Sequence, residues 1–243
     1  MHSSIVLLTG KMEKIILISR DVPLSVEKIL SKYGQIRKLA PHKDLQWQVA
    51  SHGDMLSFWD KSQGILFTDG EYLGANPETF KDIRVSVIDE RLGSKYPEDI
   101  YLDALALGDV IVCREANTAR RITDGKRVVN VKQGYAKCSV CLLDEKSALT
   151  ADNGIAAALS ELGVDVCHIR EGGIVLGGYS YGFIGGASVV IDKRVIFFGD
   201  VQKHPDADKI LDFINKKGYE AEYPEDVELT DLGSAIVVDK ESK

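Results

Sequence analysis

The chain has 243 residues, of which 44% are hydrophobic and 28% are charged, and this balance is typical of a globular protein with one sizeable core. Its 37 acidic residues outnumber its 30 lysines and arginines, and the net charge of −7 argues against duplex nucleic acid or an anionic membrane as a partner. No apolar run approaches the roughly 18 residues of a membrane-spanning helix. The four cysteines accompany no export signal, so we expect a reduced, cytoplasmic protein.

The first elements of the chain follow a predicted tail at residues 1–11. Residues 15–19 and 35–39 are short apolar runs that predict strands, and residues 24–33 between them predict a helix. This first unit therefore contains one strand, a helix and a second strand.

The next three stretches repeat this order with one more strand at the start of each. Their approximate boundaries are residues 52–89, 99–132 and 138–170. The last of them is the clearest copy, because an acidic turn at Asp144 separates two short apolar runs that predict a hairpin. A helix follows, which Asp152 can cap, and the next strand begins at residue 164.

A fifth copy spans residues 186–223, and residues 233–239 form one further apolar run. The first unit, residues 15–40, lacks a first strand, and the final run supplies one, which leaves no free sheet edge. A unit of about thirty residues cannot bury both faces of its own sheet, so the copies should pack together. The sequence therefore predicts a single α/β domain over residues 1–243, a five-fold pseudosymmetric α/β propeller whose ring closes between the N- and C-terminal strands.

His52 and Asp54 open the second copy. On an extended backbone, residues two apart point to the same face, so we expect this imidazole and carboxylate to lie side by side. Such a pair suits general acid–base chemistry or cation binding. The alternative interpretation is a solvated pair in a loop.

Equivalent positions of a five-fold ring should meet at its axis. Counting back six residues from each hairpin acid gives one such set: Asp54, Asp103, Cys138, Gly186 and Gly233. Two carboxylates and a thiol that converge with His52 would provide a nucleophile, a base and a cation site, with the glycines leaving room for a ligand. Asp99 competes with Asp103 for the central position, and this alternative stays open.

Cys138 and Cys141 form a Cys-x-x-Cys pair, which can indicate a zinc or redox site. In a strand, however, residues three apart face opposite sides, and no second cysteine pair with ligand spacing exists. We therefore predict no metal and no cofactor, expect Cys141 to be buried, and expect the side chain of Lys137 to be solvated.

Residues 171–188 form a Gly-rich stretch between the fourth and fifth copies. No helix follows it and no Gly-Lys-Ser/Thr occurs in it, so it is not a phosphate loop. Glycines and tyrosines that lead to the ring axis suggest a lid or a close backbone approach to a ligand, while a plain connecting loop is the alternative. We assign substrate-binding roles to five residues, namely Asp103, Asp99, Glu171, Tyr181 and Gly186.

This order of elements resembles that of the pentein, or guanidino-group-modifying, superfamily, and the resemblance covers the chain from Ile15 onward. Agmatine and arginine deiminases of that superfamily open one repeat with His-x-Asp, to which His52-Gly-Asp54 is similar. They also carry a nucleophilic cysteine after a Gly-containing lead-in, and residues 133–138, which end in Cys138, resemble it two repeats after His52. The chain looks most like a bacterial branch of the superfamily whose substrate is open.

The resemblance implies a Cys-dependent hydrolase or transferase, similar to deiminases or amidinotransferases, that acts on a small cationic guanidino or amidino substrate. Cys138 would attack the guanidino carbon, His52 would move protons, and Asp54 would bind the guanidinium. Those enzymes place the histidine and cysteine one repeat later, and their Glu-Gly-Gly motif is not where Glu171 falls. The alternative is a non-catalytic pentein module similar to a ribosome anti-association factor. The oligomeric state stays open.

Overall fold

The computed structural model describes residues 14–240, so the predicted tail at residues 1–11 lies outside the described residues. Fifteen strands make up its sheets. They are, in chain order, β1 (Lys14–Ser19), β2 (Gln35–Leu39), β3 (Ser57–Asp60), β4 (Ile65–Thr68), β5 (Val85–Val87), β6 (Leu105–Leu107), β7 (Val110–Cys113), β8 (Arg127–Asn130), β9 (Val140–Asp144), β10 (Ser147–Thr150), β11 (Asp165–His168), β12 (Ser188–Ile191), β13 (Arg194–Phe197), β14 (Glu220–Glu222) and β15 (Ala235–Asp239).

Six α-helices connect or precede these strands. They are α1 (Leu24–Leu30), α2 (Gly53–Leu56), α3 (Gly70–Ala75), α4 (Arg120–Thr123), α5 (Asn153–Glu161) and α6 (Ala207–Lys216). Short 3-10 helices at Pro77–Phe80, Glu115–Asn117 and Val201–Lys203 lie beside α3, α4 and α6. No helix within residues 14–240 has the length and apolar character that crossing a membrane would require.

The strands form five separate three-stranded sheets with the repeated order that the sequence predicts. In the four sheets from β3 to β14, the first strand runs antiparallel to the second, and the second runs parallel to the third. Every α-helix except α2 lies in the crossover that a parallel pair of strands requires. The mixed α/β class and the strand-strand-helix-strand repeat are therefore confirmed.

The first sheet is assembled from both ends of the described chain. β15 pairs antiparallel with β1, with Leu17 opposite Ile236, and β1 pairs parallel with β2. The prediction that the last strand completes the first unit is thus confirmed. Within residues 14–240 the hydrogen bonds join strands inside each sheet only, and no single closed sheet is formed.

The predicted helix signals act as expected in the fourth unit. The Asp152 carboxylate accepts a hydrogen bond from the backbone N–H of Ile155 at 2.8 Å, which satisfies a free donor of the first turn. Gly163 has a φ of +82°, the left-handed conformation that ends α5 without strain on a side chain.

The second unit departs from its prediction at its start. The sequence predicts an extended backbone at His52 and Asp54, but α2 occupies Gly53–Leu56 and β3 begins only at Ser57. His52 therefore has an extended conformation, with φ −67° and ψ 130°, while Asp54 is helical. The expected side-by-side placement on one extended strand is wrong.

Neighbouring sheets share their hydrophobic cores. Leu105 of the third unit and Val140 of the fourth lie in one cluster, and Leu149 of the fourth and Ile210 of the fifth lie in another. The first and fifth units also share a cluster, which includes Ile16.

A central cavity of about 250 Å³ is lined by residues from the first strands of all five sheets. Its wall includes Phe58, Ala106, Leu142, Val189 and Ile236, one from each of these strands. The five equivalent strands thus surround a common space, and the residues just before them lie at one end of it.

Candidate active site

The residues counted back from the hairpin acids come together in the structure. The ligand atoms of Asp54, Asp103 and Cys138 all lie within 4.8 Å of one another, and all three residues are buried. Cys138 lies in the turn before β9, because the strand begins at Val140. The spacing argument therefore found the cluster even though Cys138 is not within a strand.

Asp103 is held by the turn that carries the thiol. Its Oδ1 accepts hydrogen bonds from the backbone N–H groups of Lys137 at 2.7 Å and Cys138 at 3.1 Å. Its Oδ2 is buried and has no hydrogen-bond partner. Both oxygens of Asp54 are likewise buried without a partner. Buried carboxylates are normally paired, so three buried oxygens without a partner in one cluster depart from the usual pattern.

Asp231 is a further member of the cluster that the sequence analysis missed. Its Oδ2 lies 3.4 Å from the Cys138 Sγ, and its Oδ1 lies 3.9 Å from Nδ1 of His52. The backbone N–H groups of Phe183 and Gly233 donate to the same carboxylate at 2.8 and 3.1 Å. Asp231 therefore connects the thiol, the imidazole and the Gly-rich loop.

The two central glycines make room for side chains of the protein itself. A Cβ added at Gly186 would overlap the Asp231 carboxylate, and one added at Gly233 would overlap His52. The expectation that these glycines leave space for a ligand is wrong, because Asp231 and His52 fill that space. The peptide of Gly186 also holds the turn, since its N–H donates to the carbonyl of Cys138 at 2.9 Å.

Burial dominates the electrostatics of this cluster. Burial raises the pKa of Asp54, and burial followed by the nearby Asp54 charge raises the pKa of Asp103 well above its usual range. Burial and then the charges of Asp231, Asp54 and Asp103 raise the pKa of the Cys138 thiol well above its ordinary value. The thiol is therefore protonated at neutral pH in these surroundings.

Lys137 is the protein's own cation beside this cluster. Its Nζ donates to the Ser234 hydroxyl at 3.1 Å, and its side chain is half-buried in the wall of the central cavity. The expectation of a solvated Lys137 is therefore wrong. Its charge acts to lower the pKa of the Cys138 thiol, but burial and the three carboxylates outweigh it.

A second cavity, of about 280 Å³, lies against the thiol, and we call it the aromatic cavity. Its lining includes Cys138, His52 and Asp231 together with Asp99. Aromatic and apolar side chains form much of the rest: Val49, Met55, Tyr135, Leu176, Tyr179, Tyr181 and Phe183. The candidate nucleophile is only 5% exposed, and this cavity is the space from which a ligand can reach it.

Asp103 and Asp99, the two alternatives for the acidic position beside the thiol, are both near Cys138 but have different surroundings. Asp103 lies in the cluster with Cys138, whereas Asp99 lies in the wall of the aromatic cavity. The Oδ2 of Asp99 accepts a hydrogen bond from the Tyr135 hydroxyl at 2.8 Å, and its Oδ1 is buried without a partner.

The Gly-rich stretch from 171 to 187 contains no helix or strand and covers the aromatic cavity. The Tyr179 hydroxyl donates to Oε1 of Gln46 at 2.9 Å, which ties the loop to the segment before α2. Tyr181 lines the aromatic cavity, as a substrate-binding role requires. Glu171 does not: it is exposed and lines a separate cavity of about 90 Å³, so the structure does not bring it to the thiol.

A third space, of about 400 Å³, adjoins the site from the other side, and we call it the side cavity. It shares His52, Leu176 and Asp231 with the aromatic cavity. Its remaining lining includes Arg20 and Trp47, whose side chain is 80% exposed. Leu176 and the site residues therefore separate two approaches to the same cluster.

The other cysteines are buried thiols away from the carboxylates. Cys141 lies on β9 in a hydrophobic cluster, so it and Cys138 face different surroundings, as expected. The atoms of Asp54, Asp103 and Cys138 are close enough to hold a metal ion. The sequence-based expectation of no metal and no cofactor therefore stays a prediction.

Replacing Gly233 by alanine should destabilise the protein by several kcal/mol. Its φ of +72° alone costs a side chain about 1–2 kcal/mol, and the overlap with His52 adds roughly 1–3 kcal/mol. Gly125→Ala is the matched control, because Gly125 has a φ of +71° and open space around it. Urea unfolding gives the loss in free energy of unfolding for each variant, and the difference between the two losses is the cost of the overlap. Equal losses in the two variants would contradict the placement of His52.

Comparison with known proteins gives one family and several structural relatives. The model of the family described as "Family of unknown function (DUF6873)" matches residues 17–236. No curated protein matches the chain by sequence. The structure of DDAH from Pseudomonas aeruginosa in complex with citrulline is similar, with 13% identity and a TM-score of 0.58, over 94% of this chain and 100% of that one.

Two other solved structures are similar as well. An agmatine deiminase from C. jejuni has 12% identity and a TM-score of 0.52, over 88% of this chain and 87% of its own. An amidinotransferase of saxitoxin biosynthesis from Microseira wollei has 10% identity and a TM-score of 0.55, over 89% and 79% of the two chains. At such identities the likeness shows the fold, and function must be argued from the site. The chain thus has the pentein fold that its repeats predicted, and it belongs to the family described as Family of unknown function (DUF6873).

Proposed function

We propose that this protein is a Cys-dependent enzyme that acts on the central carbon of a guanidine or amidine. Cys138 is the nucleophile, His52 moves protons, and Asp54 and Asp103 bind the cationic group. The five sheets form the blades of a ring that holds these residues at one end of the central cavity. The similar structures include a deiminase and an amidinotransferase, which supports the same general chemistry.

One observation carries this proposal: three oxygens of two buried carboxylates have no partner beside a thiol. The free oxygens belong to Asp54 and Asp103. A guanidinium or amidinium is planar and presents several N–H donors, so it can satisfy such oxygens while it places its carbon near the Cys138 Sγ. A simple ammonium would satisfy the charge but would offer no electrophilic carbon.

The charge of the ligand also explains how the thiol becomes reactive. In the empty site, burial and the carboxylates keep Cys138 protonated. A bound cation offsets the carboxylate charge and favours the thiolate, so the nucleophile forms mainly when substrate is present. Asp231 Oδ2, at 3.4 Å from Sγ, and the His52 imidazole are the groups placed to accept the thiol proton.

The proposed reaction balances in two steps. The Cys138 sulfur forms a bond to the guanidino carbon, a C–N bond breaks, and the leaving amine takes a proton through His52. The resulting thiouronium is then attacked by water in a hydrolase, or by an acceptor amine in a transferase. The C–S bond breaks and the thiol regains a proton.

The burial of Cys138 favours one second candidate, a non-catalytic pentein module. The thiol is 5% exposed, and two large apolar side chains, Trp47 and Leu24, are 80% and 70% exposed elsewhere on the surface. A binding module would need no access to the thiol. The reactivity of Cys138 therefore distinguishes the two functions.

The experiment is alkylation at neutral pH with 2-chloroacetamidine, a cationic amidine, and with 2-chloroacetamide, a neutral reagent of the same shape and leaving group. We expect Cys138 to react at least about tenfold faster with the cationic reagent, the factor that one pKa unit of thiol activation gives. Mass spectrometry of peptides locates the label, and Cys138→Ser should lose it.

Cys141→Ser is the matched control, because it removes a buried thiol from the same strand region and leaves the carboxylates in place. It should be labelled at Cys138 like the unmodified protein. An unlabelled Cys138, or equal rates for the two reagents, would exclude the proposed enzyme and favour the binding module.

A further inference from the structure

The central cavity carries charged groups of one sign. Lys61 and Lys137 belong to its wall, and no aspartate or glutamate of the part of the chain that the structure describes does. The aromatic cavity beside the thiol has the opposite character, because its wall contains Asp99 and Asp231 and no lysine or arginine of the described residues. The two spaces therefore favour ligands of opposite charge.

The ammonium of Lys137 has donors available to a ligand in this cavity. An ammonium carries three N–H groups, and among residues 14–240 the Ser234 hydroxyl is the one acceptor of Nζ, at 3.1 Å. Asp54 and Asp103 lie in the cluster with the thiol and do not belong to the wall of the central cavity. Two N–H groups of a half-buried cation thus remain for an acceptor in the cavity.

A buried hydroxyl in the same wall lacks a partner. Ser57 begins β3, is 1% exposed, and has no hydrogen-bond partner for its Oγ. Buried hydroxyl groups are normally hydrogen-bonded, and a ligand oxygen in the cavity would supply the missing partner. Ser57 and Lys137 come from different units of the fold, and the cavity wall contains both of them.

The rest of the wall suits a hydrocarbon chain. Its apolar residues come from all five first strands and include Phe58, Leu105, Leu142, Val189 and Ile236. Water has few polar partners among such side chains, so an aliphatic chain that displaces it is favoured. At about 30 Å³ for each water of the liquid, 250 Å³ corresponds to about eight waters, or to a chain of about six carbons with its polar head.

A ligand can reach this cavity from the end of the ring that carries the hairpin turns. A space of about 850 Å³, which we call the outer cavity, is lined in part by exposed hairpin residues such as Glu145. It shares six wall residues with the central cavity, namely Trp59, Lys61, Ala106, Leu142, Val190 and Val237. The route from the outer cavity does not pass Cys138.

We propose that the central cavity binds a small aliphatic carboxylate, with its head at Lys137 and Ser57 and its tail among the apolar side chains of the first strands. A carboxylate carries one negative charge and accepts several hydrogen bonds, so it can satisfy the ammonium and the hydroxyl together. A cationic head would be repelled by Lys137 and Lys61. This site is separate from the thiol and does not depend on the function proposed above.

The test is a titration with three ligands that share a six-carbon tail: hexanoate, 1-hexanol and hexylammonium. We expect hexanoate to bind with a Kd of about 1 mM or lower, which eight non-hydrogen atoms can provide. 1-Hexanol should bind at least about tenfold more weakly, because a hydrogen bond to a charged group is worth about this factor, and hexylammonium should not bind. Calorimetry measures the three affinities.

Tryptophan fluorescence reports where hexanoate binds. The chain has two tryptophans, and Trp47→Phe leaves Trp59, which lines the central cavity, as the remaining one. Hexanoate should change the Trp59 emission over the same concentration range as in calorimetry.

Lys137→Met should weaken hexanoate binding at least about tenfold and leave the affinity for 1-hexanol unchanged within about twofold, because methionine keeps an unbranched apolar side chain. Lys132→Met is the matched control, since it removes the same charge from an exposed residue nearby in the sequence. The control should bind hexanoate like the unmodified protein. Undiminished binding of hexanoate to Lys137→Met would overturn the proposed site.

Ala106→Leu tests the place of binding independently of Lys137. Ala106 lies in the wall that the central and outer cavities share, so a leucine there would occupy the space of the tail. A folded Ala106→Leu variant should lose hexanoate binding, and undiminished binding would place the ligand elsewhere and overturn the proposal. Absence of saturable hexanoate binding to the unmodified protein, or equal affinities for hexanoate and 1-hexanol, would overturn it as well.

Discussion

A chain that ends after Leu232 should fail to reach a stable folded state. It lacks β15, whose Ile236 and Val238 are buried and whose backbone pairs with β1. Each buried aliphatic side chain contributes about 1.5–3 kcal/mol, and a protein's whole stability is only about 5–15 kcal/mol. The truncation also exposes one edge of β1, in which five of six residues are buried.

Circular dichroism and urea unfolding measure this effect. The control is a chain that ends after Lys240, which keeps β15 whole and should unfold at the same urea concentration as the full chain. If the chain that ends after Leu232 also unfolded there, β15 would not be part of the first sheet in solution.

Asp54→Asn should stabilise the protein at pH 7 while it removes the preference of Cys138 for the cationic reagent. Asp54 is 1% exposed, and neither of its oxygens has a partner, so its ionised form is costly to bury. Relief of an unsatisfied buried group is worth about 1–3 kcal/mol. At this chain length, each kcal/mol corresponds to about 2–4 °C in the midpoint of thermal unfolding.

The pH dependence gives this prediction a definite sign. The pKa of Asp54 is raised in the folded protein, so the folded state binds the proton more tightly than the unfolded state. Stability from this group is therefore lost as the pH rises above the unfolded value of about 3.9. The gain in free energy of unfolding that Asp54→Asn gives over the unmodified protein should vanish below about pH 3 and grow toward pH 7.

Thermal unfolding across this pH range checks the prediction, and Asp226→Asn is the control. Asp226 is exposed, so its replacement removes the same charge from the surface and should leave the midpoint nearly unchanged. A less stable Asp54→Asn would mean that the carboxylate is already paired in solution, and the argument for a cation site would fail.

The repeat was predictable because its signals are local. Short apolar runs around an acidic turn, the Asp152 cap and the left-handed Gly163 each follow from a few neighbouring residues. The pairing of β15 with β1 followed from counting, since one unit lacked a strand and one strand lacked a unit. The helical turn at α2 was not predictable in this way, because four residues are too few for a clear period.

Part of the candidate site was predictable as well, because the repeat relates its residues to one another. Equivalent positions in a repeat placed Asp54, Asp103 and Cys138 together without any tertiary information. Asp231 was missed because it lies in the link before β15, outside every repeat unit. The sequence does contain a signal for Asp231. Asp54 and Gly233 are equivalent positions of the repeat, and His52 and Asp231 each lie two residues before one of them, so His52 and Asp231 are equivalent as well.

The inward turn of Lys137 could not have been read from the sequence. A lysine before a strand is normally solvated, and nothing local indicates that the Ser234 hydroxyl will accept a hydrogen bond from it. Such a contact depends on the residue just before β15, which is far away in the sequence, so it appears only when the sheets are assembled.

The pairing of β1 with β15 has a consequence for how the protein is made. The ribosome makes β1 long before β15, because Val238, which pairs with Ile15, lies far downstream of it in the chain. Until then the apolar β1 has an open edge, which favours contact with a chaperone or aggregation. Asp231 also lies far downstream of Cys138, so the thiol cannot meet its full set of neighbours until that part of the chain has been made.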